Sequence, residues 1–311
     1  MVQEKEYAVR RCEQAAELLP LRLRRMAMEL PAQKKAVAEE FRLRVGRPAT
    51  VLLPEGEVLL AAGVRESVVS ADDLERMVGA VTEYARYASS EMLKNGYLTV
   101  RGGFRLGLCG TAVMRDGRSC SMRDFSSAAL RIAKQVYGIA DGLMGALFED
   151  GRLQSTLILS APGGGKTTLL RDIVRSISDG GAEREALRVA LVDERGEIAA
   201  VHNGTAQMEV GAHTDVLDGC LKSIGVTMVL RAMNPQVIAV DEISARADTE
   251  VMIQAANCGV TLLATAHAAD MEELRRRSVY APLLDEGIFR RVVTIHRVDG
   301  ERVYETEEMP C

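Results

Sequence analysis

Residues 160–168 read Ser160-Ala161-Pro162-Gly163-Gly164-Gly165-Lys166-Thr167-Thr168, a composition suited to holding a polyphosphate. Glycine reaches backbone conformations closed to bulkier residues, so successive N–H groups can surround a phosphate. A helix starting at the lysine adds further N–H donors and a partial positive charge. In the pattern G-x-x-x-x-G-K-[ST] the lysine reaches the β- and γ-phosphates and the next hydroxyl ligates Mg²⁺. Ala161, Pro162, Gly163, Gly164, Gly165, Lys166, Thr167 and Thr168 are therefore the expected nucleotide-binding residues, with Thr167 also on the metal. Ser160 stands where the pattern has its first glycine, so the turn must tolerate a β-carbon there.

Triphosphate hydrolysis also needs one carboxylate for the Mg²⁺ shell and another to position the attacking water. Val237-Ile238-Ala239-Val240-Asp241-Glu242 supplies both at the end of an apolar run. Strand ends in open α/β sheets face the shared ligand crevice, which directs Asp241 to the metal and Glu242 to the water. A second acidic cluster, Asp193-Glu194-Arg195-Gly196-Glu197, follows the run Val189 to Val192. It reads either as a further part of the site or as an ordinary polar loop. His267 closes Thr261-Leu262-Leu263-Ala264-Thr265-Ala266 with a hydroxyl two residues before it. A neutral imidazole there can hydrogen-bond the γ-phosphate and report its loss, or sit as a satisfied surface histidine.

The elements that must position these groups are legible in the patterning. Short β-branched runs at Thr156 to Leu159, Val189 to Val192, Val237 to Val240, Thr261 to Ala264 and Val292 to Ile295 alternate with helical stretches, the signature of a parallel sheet covered on both faces. Leu169, Leu170, Ile173, Val174 and Ile177 form one face of a helix ending at Gly180-Gly181. The tail reads as a hairpin, Val292 to His296 with Val303 to Glu305 over Asp299-Gly300. Before residue 150 the pattern is mixed. A helical, locally basic stretch covers about the first 40 residues, and alternating Phe41, Leu43 and Val45 begin a strand. Val51 to Leu53 and Val58 to Leu60 flank a turn at Pro54-Glu55-Gly56-Glu57. Ser70 and Asp73 cap a helix bearing Leu74, Met77, Val78 and Val81. Strands follow at Tyr97 to Val100, Phe104 to Leu108 and Thr111 to Met114, the last leading into an Asp116-Gly117 turn. The expected fold is α/β: a smaller α+β N-terminal domain over 1–150, then a P-loop NTPase domain with a parallel central sheet over 151–311.

Composition removes several alternatives. Among 311 residues, 39 Lys and Arg face 44 Asp and Glu, a formal net charge of −5, the wrong sign for a surface built to hold nucleic acid. Trp is absent and aromatics total 4%, which leaves little stacking platform for single strands. Six cysteines with no C-x-x-C pair indicate neither a zinc clip nor a disulfide scaffold. No run approaches the ~18–20 apolar residues of a spanning helix, and the N-terminus lacks a signal-peptide core. A cytoplasmic chain is expected.

Leu230-Arg231-Ala232-Met233-Asn234-Pro235-Gln236 leading into the strand before Asp241, then Gln254-Ala255-Ala256-Asn257-Cys258-Gly259 and Thr265-Ala266-His267-Ala268, resembles the core of type II and type IV secretion ATPases. That resemblance implies a RecA-like fold, ATP as the nucleotide, and hexameric rings working at the cytoplasmic side of a membrane channel. It also implies an acidic box at Asp193 to Glu197, with Glu194 and Glu197 at the site and Glu197 sharing the water-orienting role. Arginines of the N-terminal domain would complete the site: Arg131 foremost, then Arg105 and Arg123. The tetracysteine zinc motif of some type II members is missing. Three N-terminal stretches, Phe41 to Pro48, Gly96 to Gly110 and Phe125 to Ala133, resemble more narrowly the stage III sporulation AA family. This implies an ATPase of the mother cell at the channel joining it to the forespore.

The leading expectation is thus a Mg²⁺-dependent ATPase acting as an oligomeric ring motor. A nucleotide-gated scaffold of the same membrane complex, with little turnover, competes with it. A RecA-type nucleic-acid motor is disfavoured by the charge balance and the scarcity of aromatics, and a dinucleotide fold by the lack of G-x-G-x-x-G after the first strand of a βαβ unit.

Overall fold

A computed structural model describes residues 2–61, 67–82, 96–115, 118–182, 184–298 and 301–309. Two compact units are present. One comprises Met1–Lys134 with Ala200–Gln207, the other Gln135–Ala199 with Met208–Cys311.

In the N-terminal unit, helices α1 (Val2–Ala16), α2 (Leu21–Met28), α3 (Ala32–Val37) and α4 (Ala71–Thr82) accompany an antiparallel sheet. Its strands are β1 (Glu40–Arg44), β2 (Thr50–Leu53), β3 (Gly56–Leu59), β4 (Tyr97–Val100), β5 (Phe104–Arg115) and β6 (Arg118–Arg131), in the order β3-β2-β1-β6-β5-β4. Period-2 burial explains β1: Phe41 and Leu43 are fully buried, joined in the core by Val51, Leu106 and Leu130. Val45, expected to continue that face, lies beyond the strand and is exposed. The β2–β3 turn is tighter than the sequence reading, with Leu53 already paired to Gly56 across Pro54-Glu55. Helix α4 starts as expected: Ser70 Oγ accepts from Asp73 N at 3.1 Å while the Asp73 carboxylate accepts from Ser70 N at 2.8 Å. The expected Asp116-Gly117 turn lies outside the described residues, as does Asp299-Gly300 in the tail.

The second unit is built on a seven-stranded sheet. Its strands are β9 (Thr156–Ser160), β10 (Val189–Asp193), β11 (Thr214–Asp218), β12 (Val237–Val240), β13 (Thr261–His267), β14 (Arg291–Val298) and β15 (Glu301–Glu308), ordered β11-β10-β12-β13-β9-β14-β15. A small hairpin, β7 (Phe148–Glu149) with β8 (Arg152–Leu153), precedes it. All ladders in the large sheet are parallel except β14–β15. The inner strands are apolar on both faces because helices cover both: Leu157, Ile158, Leu191, Ile238, Ala239, Leu262 and Leu263 are all buried. Helices α5 (Lys166–Asp179), α6 (Lys222–Ala232), α7 (Arg246–Asn257), α8 (Met271–Arg276) and α9 (Ala281–Asp285) complete the unit. Every residue of the predicted apolar face of α5 is buried, and Gly180 terminates it at φ +67°. Since β10, β12, β13 and β9 are consecutive neighbours running in one direction, their C-terminal ends lie side by side. The acidic cluster, Asp241-Glu242, His267 and the glycine loop follow those four ends in that order.

Candidate functional site

The glycine loop leaves β9 at Ser160 and becomes helix α5 at Lys166. Ser160 solves the problem its β-carbon poses by turning inward. It is buried, its Oγ donates to Ala161 O at 2.8 Å, and a β-carbon on Gly164 would come within 2.0 Å of that hydroxyl oxygen. Serine at the first position thus requires glycine at the fifth. Gly163 and Gly165 hold φ +74° and +106°, backbone that only glycine adopts without strain.

Lys166 is buried, and its ammonium donates to Ser160 O at 3.0 Å, to Ala161 O at 3.4 Å and to His267 Nδ1 at 2.8 Å. Burial pushes its pKa below the usual lysine range, while the Asp241 and Glu242 carboxylates oppose that shift. Because an ammonium only donates, His267 Nδ1 must accept. The same neutral tautomer then carries its proton on Nε2, 3.2 Å from Glu242 Oε2. A chain of polar contacts, Lys166–His267–Glu242, joins three strand ends, and Arg195 reaches the same Glu242 oxygen at 3.4 Å.

Asp241 is held by two hydroxyls. Thr167 Oγ1 donates to Oδ2 at 2.9 Å, and Thr265 Oγ1 donates to Oδ1 at 2.8 Å. Thr265 Oγ1 also accepts from Glu242 N at 2.9 Å. This second contact matters because Glu242 sits at φ +24°, a costly conformation for a residue with a side chain, of the kind that concentrates at functional sites. Its N–H is fixed by both Thr265 Oγ1 and Asp241 Oδ1, the latter at 3.1 Å, so the strain is imposed by the bonds around the acidic pair.

The acidic cluster divides by role. Asp193 is 1% exposed, and its carboxylate accepts from the N–H groups of Glu197, Ile198 and Ala199 at 2.9, 3.0 and 2.8 Å. Burial raises its carboxyl above the usual range, with those three bonds opposing. Asp193 therefore shapes the loop. Glu194 pairs with Lys222 of α6. The Glu197 backbone carbonyl is held by Arg171 Nη2 at 2.6 Å, and Arg171 Nε donates to Ile198 O at 2.6 Å. Thus α5, which begins in the glycine loop, also grips the acidic loop.

The three arginines lie in the N-terminal unit and do not form one cluster. Arg105 and Arg131 are direct cross-strand partners on β5 and β6, and Arg131 is also opposite Glu40 of β1, with Nε 3.3 Å from its carboxylate. Arg105 stacks over Tyr97 at 3.7 Å. Arg123 is opposite Thr111, further along the β5–β6 ribbon, and pairs with Asp124 at 3.1 Å.

The donor set fits a magnesium–triphosphate unit. Thr167 Oγ1 and Asp241 Oδ2 converge as hard oxygen donors of the kind Mg²⁺ takes alongside waters and phosphate oxygens. Among the described residues no group of three or more His, Cys, Asp or Glu gathers to hold a metal by itself. Arg171, Arg195 and Lys222 are part of the site's framework that the motifs did not single out. Arg171 lies off the apolar stripe of α5, among its polar residues, and its burial comes from the acidic loop that returns over it.

Stage III sporulation protein AA of Bacillus subtilis (strain 168) is 36% identical over 286 residues, covering 92% of this chain and 91% of that protein. Among solved structures, the pilus retraction motor PilT with bound ADP superposes with a TM-score of 0.60 at 18% identity, over 90% of this chain and 82% of that one. The ATPase DotB of Legionella pneumophila gives 0.56 at 17%, over 87% and 76%. The fold is accordingly that of the RecA-like secretion ATPases. The family described as "Sporulation stage III, protein AA" matches residues 9–304, and together with the B. subtilis relative this places the chain in that family.

Proposed function

We propose that this protein hydrolyses ATP with Mg²⁺ and works as a ring motor in sporulation. The observation that carries the reading is the 2.9 Å contact between Thr167 Oγ1 and Asp241 Oδ2 beside the Lys166–His267–Glu242 chain. The phosphate loop from Ala161 to Thr168 binds the polyphosphate, and Lys166 exchanges its loop carbonyls for phosphate oxygens. Thr167 and Asp241 hold Mg²⁺, which when bound neutralises charge developing on the phosphates. Glu242, the acid with its backbone fixed in strain, orients water for in-line attack, with Glu197 as second carboxylate and Glu194 tying the acidic loop to α6. His267 senses the terminal phosphate, because contacts to both Lys166 and Glu242 must rearrange when one arrives. Arg131 and Arg105, which share a row, are the better candidates to neutralise transition-state charge, ahead of Arg123.

The motif resemblance to type II and type IV secretion ATPases supports a homohexameric ring. The family name supports a role in sporulation, and the proposal sets the ring in the mother cell, at the cytoplasmic face of the membrane channel joining it to the forespore. No helix among the described residues is long and apolar enough to cross a membrane; association with the membrane through partners is part of the proposal. Phosphate release by the purified protein tests the reading. Lys166→Ala should abolish it, and Glu242→Gln should bind ATP without turning it over. Nucleotide binding with no turnover by the wild type would favour the scaffold reading, and wild-type rates in both variants would overturn the ATPase reading.

A further inference from the structure

The tail hairpin is built against the phosphate loop. Strand β14 runs parallel to β9 with Thr294 paired to Leu159, so beyond that pair β14 continues alongside the loop that β9 feeds. Strand β15 then returns, placing Arg302 opposite Arg297. Arg302 Nε donates to the Gly164 carbonyl oxygen at 2.9 Å. In a trans peptide C=O and N–H point to opposite sides, so holding Gly164 O from the hairpin side turns Gly165 N–H away from the hairpin. The fit is close: a β-carbon on Gly165 would lie 2.9 Å from Arg302 Nε and 3.2 Å from Cζ. Gly165 is needed for its φ of +106°, and a side chain there would also push the guanidinium off its contact. Arginine directly across from arginine weakens a hairpin, so stability of the ribbon does not account for this pair.

We propose that Arg302 is a positioning residue of the nucleotide site. It holds the Gly164–Gly165 peptide with its N–H ready for a phosphate oxygen, so the C-terminal hairpin sets nucleotide affinity. This rests on the nucleotide-binding reading above. The guanidinium contacts the loop backbone, so it acts on binding and leaves the chemical step alone.

The test is a titration of the full-length protein with a fluorescent ADP analogue and a slowly hydrolysed ATP analogue, alongside steady-state phosphate release. Loss of one charge-assisted hydrogen bond predicts that Arg302→Ala raises Kd for both nucleotides about tenfold and raises KM similarly, with kcat within about twofold. Arg302→Lys, which keeps a cationic donor, should recover most of the affinity. Arg302→Gln, which keeps only a neutral donor, should fall between, and these two variants carry the test if the alanine variant does not fold. Arg297→Ala removes the neighbouring charge without removing the contact and should bind like wild type. Equal affinity in wild type and Arg302→Ala, or an equal loss in Arg297→Ala, overturns the proposal while leaving the site reading intact. Failure of the wild type to bind either nucleotide overturns both.

Discussion

Two acidic segments end two adjacent parallel strands of the same sheet, and they are put to different uses. Asp193 follows Val192 of β10, and Asp241 follows Val240 of β12, with Val192 and Val240 paired in register. Asp193 turns its carboxylate onto three backbone N–H groups of its own loop. Asp241 turns toward two threonine hydroxyls, one from the phosphate helix and one from β13. What separates them is the chain that follows. After Asp193, a glycine-containing loop curls back and offers amides. After Asp241, Glu242 takes a strained turn pinned by Thr265. An acid at a strand end is therefore a framework residue or a site residue according to which donors reach it first.

The largest effect should come from the reacting side of the pair. Glu242→Gln is expected to lower kcat about 10²–10⁴-fold while a fluorescent ATP analogue still binds, whereas Glu194→Gln should cost far less, since that side chain is engaged by Lys222. Equal losses in both would erase the distinction. Next, Asp241→Ala should weaken Mg²⁺-dependent nucleotide affinity by about 10–100-fold and cost less stability than loss of the more deeply buried Asp193. Asp193→Ala should do the reverse. It strips an acceptor from three amides and should lower unfolding free energy by about 3 kcal/mol, measured by urea denaturation. Lys222→Ala, which leaves Glu194 unpaired, should cost about 1 kcal/mol by the same method.

Acid titration gives the smallest and most selective contrast. In the N-terminal unit, hydrogen bonds from Arg44 and Thr50 hold the Glu57 carboxyl down to about 2 from the usual 4.5. Its folded pKa is depressed, so the stability it contributes is present above pH 4.5 and is lost as pH falls toward 2. The pair is partly exposed, which limits that contribution to at most about 1 kcal/mol. Asp193 has the opposite sign. Burial raises its folded pKa, so its ionisation costs stability as pH rises, and protonation recovers it. Glu57→Gln should remove part of the acid loss, and Asp193→Asn should remove the opposing trend, both followed by thermal melts from pH 2 to 6.

Most of the second unit was legible because its signals are local. Five strands were marked by apolar runs, α5 by its 3.6-residue period, and the phosphate loop by glycine spacing. Strand β11 was missed: Thr214-Asp215-Val216-Leu217-Asp218 is a polar edge strand with no run to mark it, held by pairing to β10. Strand β6 was missed for a related reason. Ser126, Ser127, Ala128 and Ala129 have little strand propensity, and their ladder partners on β1 and β5 are distant in sequence. At the site, Lys166, Thr167 and Asp241 could be named because motif and strand end coincide. The framework role of Asp193, the grip of Arg171 on the acidic loop and the contact of Arg302 with Gly164 depend on where loops and hairpins return. No spacing rule encodes that.

The central claim is that one magnesium–triphosphate unit sits between the loop 160–168 and the acid pair at the end of β12. A crystal structure with Mg²⁺ and a non-hydrolysable ATP analogue tests this most directly. Phosphates should be enclosed by the amides of Gly163 to Thr168, with Lys166 released from His267 onto a phosphate oxygen and the metal flanked by Thr167 and Asp241. A nucleotide bound elsewhere, or Asp241 turned away from the metal while Asp193 abandons its amides to reach it, would contradict it.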